Sequence, residues 1–140
     1  MKKGLFIRIV IIIALFIVYY EQIPSLNITY KNSKIEVLQC PFHWDSISRG
    51  SAYYDYAPAI MLATRINATT VEPQASLNFN FSKKTDDFYF DISVDKERSE
   101  GYKSMNNEIV VPTEKGTYVF DVIGKWRQGE VLYIFKIIVE

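Results

Sequence analysis

The stretch Pro112 to Val139, P-T-E-K-G-T-Y-V-F-D-V-I-G-K-W-R-Q-G-E-V-L-Y-I-F-K-I-I-V, constrains the fold more than any other part of the chain. Two runs rich in β-branched and aromatic residues flank Arg127-Gln128-Gly129-Glu130, a short polar link with a glycine suited to positive φ. That pattern predicts a β-hairpin. In the first run Tyr118, Phe120 and Val122 share a face, continued by Gly124 and Trp126; in the second, Val131, Tyr133, Phe135, Ile137 and Val139 do the same. A ribbon this apolar on one side cannot stand alone in water and needs a second sheet over it.

The preceding chain offers the strands for that sheet. Leu26, Ile28 and Tyr30 alternate with polar residues, Lys31-Asn32-Ser33-Lys34 turns, and Ile35, Val37 and Leu38 resume a strand running toward Cys40. Phe42 and Trp44 extend it beyond Pro41, and the proline predicts an edge or a bulge there. Asp45 to Ala57 shows no period and reads as a long loop, and Ala59 to Ile66 fits a short helix or a buried strand, with strand preferred. Leu77, Phe79 and Phe81 alternate strictly with polar residues. After the turn Lys83 to Asp87, Phe88, Phe90, Ile92 and Val94 do so again, with Asp87, Asp91 and Asp95 as the solvent face. Asp95 to Asn107 reads as a solvated connection, and Glu108 to Val111 as a short strand stopped by Pro112. About seven or eight short strands separated by turn signals predict an all-β, antiparallel sandwich.

Before these strands lies a different kind of segment. Leu5 to Tyr20 is apolar apart from Arg8, hydrophobic all round, and as a helix spans about 24 Å against a hydrocarbon core of ~30 Å. Arg8 can snorkel to the headgroups, and Tyr19 and Tyr20 stand where an interfacial aromatic belt belongs. The residues after the run are bulky or charged and offer no small-residue cleavage site, so residues 1–22 read as an uncleaved signal anchor rather than a removed signal peptide. Lys2 and Lys3 precede the helix, which predicts a cytoplasmic amino terminus and an extracytoplasmic domain over residues 23–140. The first partner implied is thus the lipid bilayer, through residues 5–20.

Charge and residue inventory narrow the function. The chain is formally neutral, but the part from Glu21 onward carries 13 basic and 16 acidic residues, which gives no electrostatic footprint for nucleic acid. Cys40 is the single cysteine, either a small packed residue or the half of an intermolecular bridge. His43 is the single histidine. The spacing Cys40-Pro41-Phe42-His43, with Asp45 close by, is the one place where a metal or a nucleophile could be centred, and no second such pair completes a tetrahedral site. No enzyme and no cofactor are expected. Amphipathic aromatics are the better candidates for a binding surface: Trp44 with Tyr53, Tyr54 and Tyr56. Capping the end of the sandwich is the alternative role for these rings. The Asn-x-Ser/Thr triplets at Asn27, Asn67 and Asn80 fall partly in predicted strands and read as chance.

Glu114-Lys115-Gly116-Thr117-Tyr118-Val119-Phe120 resembles the tyrosine corner of immunoglobulin-like domains, with Gly116 and Tyr118 at the motif positions. The resemblance implies that the Tyr118 hydroxyl ties the turn to upstream backbone. Phe120 stands where antibody domains have their second cysteine, so no inter-sheet disulfide is implied. The whole plan of anchor, sandwich, V-x-P-x-x-x-L-x-F (Val71 to Phe79) and a closing P-x-x-x-G-x-Y pattern is also similar to small, uncharacterised membrane-tethered or lipid-anchored proteins of Bacillus-type Gram-positive bacteria. It implies an immunoglobulin-like β-sandwich at the cell membrane. The function expected from all this is non-enzymatic binding or scaffolding at the cell surface, with another envelope protein or a cell-wall glycan as partner. The alternative is an extracytoplasmic enzyme or metal-binding domain centred on Cys40, His43 and Asp45.

Overall fold

The computed structural model describes residues 2–47, 50–53, 57–94, 97–98 and 108–140. Its strands form two mostly antiparallel sheets, and one long apolar helix precedes them. Helix α1 (Lys2–Glu21) is exposed along nearly its whole length and is long and apolar enough to cross a membrane. The smaller sheet has the order β2 (Ser33–Ile35), β1 (Leu26–Tyr30), β6 (Ser76–Phe81), β9 (Glu108–Val110). The larger runs β4 (Gly50–Tyr53), β3 (Leu38–Ser46), β11 (Gly129–Val139), β10 (Gly116–Trp126), β7 (Asp87–Val94), β8 (Glu97–Arg98). A further strand, β5 (Thr69–Val71), lies parallel to the end of β11.

The terminal hairpin is central in every sense. β10 and β11 pair over their full length, from Gly116↔Val139 to Trp126↔Gly129, so the link is the two residues Arg127-Gln128 and not four. Gly129 belongs to the strand, paired with Trp126 on one side and Trp44 on the other, and β3 comes so close that a Cβ there would fall on the carbonyl of His43. The inward faces expected from alternation are the ones buried: Phe120, Val122, Val131, Tyr133, Phe135 and Ile137 are all sealed. They meet Leu26, Ile28, Ile35, Leu77, Phe79 and Ile109 of the smaller sheet, with Phe120 stacked on Phe135 at 4.7 Å between ring centroids. Burying a side chain of this size contributes about 1.5–3 kcal/mol.

Three expectations need correction. Ala59 to Ile66 is no strand but a helical turn, α2 (Ala59–Leu62), continued by a 3₁₀ turn over Ala63–Arg65. Leu62, Ala63 and Ile66 cover Val119, Ile123, Leu132 and Ile134 on the outer face of the hairpin, which is therefore apolar on both sides. A strand at that place would have nothing to pair with, whereas a helical turn can close the face. The first hairpin is also shorter than expected: β1 and β2 are joined by Lys31 and Asn32, both at positive φ, and the chain then leaves for the other sheet at Glu36-Val37. Finally, part of Asp45 to Ala57 is regular, since β3 runs on to Ser46 and pairs with β4. Of the edge or bulge expected at Pro41, the structure has the bulge, a register shift between Glu130↔His43 and Val131↔Pro41, in a strand that is flanked on both sides. Most of the connection 95–107 lies outside the described residues.

Candidate functional site

The last carbonyls of any helix lack intrahelical partners and attract cations. At the end of α1 that role falls to Lys83, in the turn after β6. Its ammonium donates to the carbonyls of Tyr19, Tyr20 (3.3 Å) and Gln22 and lies over the rings of Tyr19 (4.7 Å) and Trp44 (6.0 Å). Lys83 is only 8% exposed, and burial holds its amine below the usual lysine range. Two further contacts fix the same helix end: Gln128 Nε2 donates to Tyr20 O (3.1 Å) and Ser46 Oγ to Glu21 Oε1 (3.3 Å). Beyond it the chain is strapped down at once. Tyr133 donates to Pro24 O at 2.6 Å, while Ser25 and Ser82 exchange two bonds of 2.9 Å. Helix and β domain are joined by a clasp, not a loose linker. Sequence reading saw in Lys83 only a turn residue, because nothing local distinguishes a lysine that caps a distant helix from one in water.

The aromatic candidates separate. Trp44 is 3% exposed and packs edge-on against Trp126 at 6.0 Å, within a cluster that includes Phe79, Phe81 and Phe88. As placed, it belongs to the core beneath the helix exit and offers no binding surface. Tyr53 lies on β4 opposite His43, while Tyr54 and Tyr56 lie outside the described residues. The Gly116 and Tyr118 motif has the expected geometry: the Tyr118 hydroxyl donates to Glu114 O at 2.8 Å across the ring-packed Gly116.

Cys40, His43 and Asp45 do not converge. Cys40 is half-buried beside the α2 cluster, where burial pushes its thiol up while Arg65 pulls the other way. His43 Nε2 and Asp45 Oδ1 are 3.5 Å apart, and Asp45 also accepts from Ser51. Among the described residues no group of three metal-ligating side chains could hold an ion. The carboxylates expected as the solvent face of β7 are only partly so. Asp91 is half-buried and pairs in register with Asp121, which is 5% exposed.

The described residues form at least two surface clefts. One, of about 500 Å³, lies where the chain crosses from β2 to β3; Ser25, Asn27, Lys34, Glu36 and Gln39 line it over Leu26, Ile35 and Val37. Glu36 is oriented by both amide groups of Asn67 at 3.0 Å. Another, of about 370 Å³, lies between α2 and β10, mostly apolar, with Lys136 held on Ala63 O at 3.0 Å. The polar residues of the first cleft all fall between Ser25 and Gln39, but only the turn into β2 and the crossing to β3 bring them to one opening, so spacing in the sequence gave no sign of them. Comparison with protein-family models, curated proteins and solved structures found no match.

Proposed function

We propose that the chain is a single-pass membrane protein, with residues 1–22 as anchor and residues 23–140 as an extracytoplasmic immunoglobulin-like β-sandwich that binds or scaffolds without catalysis. The observation that carries this reading is the Lys83 clasp. A helix this apolar needs lipid around it, and a module that holds a partner at a set height above the bilayer needs a rigid mount. The immunoglobulin-like assignment is supported by topology. Strands β6 and β7 are consecutive but lie in opposite sheets, pairing with the later strands β9 and β10, while β5 flanks the last strand in parallel. The Tyr118 bond to Glu114 adds the corner of that fold.

The polar cleft favours a hydroxyl-rich ligand, for which a cell-wall glycan is the fitting class, since carboxamide, ammonium and carboxylate groups there offer both donors and acceptors. In intact cells, external protease should remove a tag placed after Glu140 and spare one placed before Met1. Full-length protein in detergent should sediment with purified cell wall, and the double variant Asn27→Ala, Gln39→Ala should lose this at unchanged melting temperature. Undiminished sedimentation would move the ligand elsewhere, and replacing Tyr53, Tyr54 and Tyr56 with serine then tests the aromatic surface. A protected carboxy-terminal tag would overturn the topology.

A further inference from the structure

Three turns surround the point where α1 leaves the β domain, and they follow one pattern. In each, one residue is bonded to the last turn of the helix and its chain neighbour is exposed. Ser46 holds Glu21 and Ile47 is 62% exposed; Lys83 holds Tyr19, Tyr20 and Gln22 and Lys84 is exposed; Gln128 holds Tyr20 and Arg127 is exposed. We propose that this collar rests on the bilayer, with Lys84 and Arg127 on lipid phosphates and Ile47 at the acyl boundary.

The argument is one of depth. It rests on the reading that Leu5 to Tyr20 span the hydrocarbon, which brings the carbonyls of Tyr19 and Tyr20 to its edge. The headgroup layer beyond is about 5–7 Å thick on each side. The contacts at the helix end are made by side-chain tips, so the backbone of Lys84 and Arg127 lies within about one side-chain length and one ~3.8 Å step of those carbonyls. Their own long side chains can span that distance back to the layer, while Ile47 follows Ser46, whose short side chain holds the Glu21 carboxylate. An isoleucine and two long cations are the side chains such a depth suits, the cations reaching phosphate and the apolar group reaching lipid. Glu21, Asp86 and Asp87 lie at the same end, which offsets the positive charge. The partner is therefore the phosphate that every phospholipid carries, not a net anionic surface.

The test uses the full chain in vesicles of phosphatidylcholine, with and without phosphatidylglycerol. In a Cys40→Ser background (Cys40→Ala where serine destabilises), Ile47→Cys or Glu114→Cys carries an environment-sensitive fluorophore, and the lipids carry nitroxides near the headgroup. Quenching should be several-fold stronger at position 47 than at position 114, which lies beyond the far end of β10, and similar in both lipid mixtures. Adding Lys84→Glu and Arg127→Glu should weaken it while the protein stays with the vesicles. Equal quenching at the two positions in vesicle-bound protein would overturn the collar and leave the anchor standing. Protein that floats free of the vesicles would overturn both.

Discussion

Two residues show how close the approach of backbone segments decides what a position tolerates. Gly129 has φ of 152° and lies against the His43 carbonyl, so Gly129→Ala must displace β3 or break the first pair of the hairpin. A loss of roughly 2–4 kcal/mol is expected in denaturant titration of the detergent-solubilised protein; a shift within about 0.5 kcal/mol would mean that β3 yields freely. Tyr133 is sealed in the core with its hydroxyl on Pro24 O, and burial raises its ionisation well above the ordinary phenol value. The folded state therefore keeps a proton that the unfolded chain releases above about pH 10, and Cys40 does the same from about pH 8.5. Both contributions are complete below those values and are lost as pH rises. These two groups lower stability as pH rises from about 8.5, against an opposing gain from the depressed Lys83 amine, and Tyr133→Phe should weaken the downward contribution above about pH 10 while costing about 1 kcal/mol at neutral pH. An unchanged alkaline slope in that variant would remove Tyr133 as its source.

Between elements, the two faces of the terminal hairpin carry different amounts of information. Its inward face was legible, because Tyr118, Phe120 and Val122, and then Val131, Tyr133, Phe135, Ile137 and Val139, recur at every second position, which places them on one side of a strand. Its outward face also carries Val119, Ile123, Leu132 and Ile134, which sequence reading passed over and which the structure covers with α2. What the cover would be was not legible, since Ala59 to Ile66 is too short for its period to separate a helical turn from a strand. Leu62→Ala should cost about 2–3 kcal/mol, in the manner of other buried leucines, and raise dye binding to exposed apolar surface. A loss near zero would show that α2 merely rests on the sheet. The polar cleft beside β2 eluded sequence reading for a related reason: Asn27, Lys34, Glu36 and Gln39 look like ordinary turn and strand-face residues until the chain changes sheets between them.

At the scale of the molecule, the relation of helix α1 to the β domain turns on a few long-range bonds. Lys83→Met keeps the length of the side chain but leaves the carbonyls of Tyr19, Tyr20 and Gln22 without their ammonium. With α1 inserted in vesicles, as proposed, the β domain should then tumble faster than the bilayer in fluorescence anisotropy, and residues 22–25 should become open to protease, with little loss in the melting of the sheets themselves. Anisotropy equal to that of the unaltered protein would show the clasp to be dispensable. By itself the sequence determined an apolar helix ahead of an antiparallel β domain and the inward face of its central hairpin, because each is written in periodicity over neighbouring residues; Pro41 marked an edge or a bulge, and the Tyr118 corner was implied by resemblance. Only the tertiary structure decided that Trp44 is buried, that α2 closes the outer face and that Lys83 bolts the helix to the sheets. Those outcomes depend on which distant backbone groups are left unsatisfied and which apolar faces are left bare, and no local stretch of chain contains that.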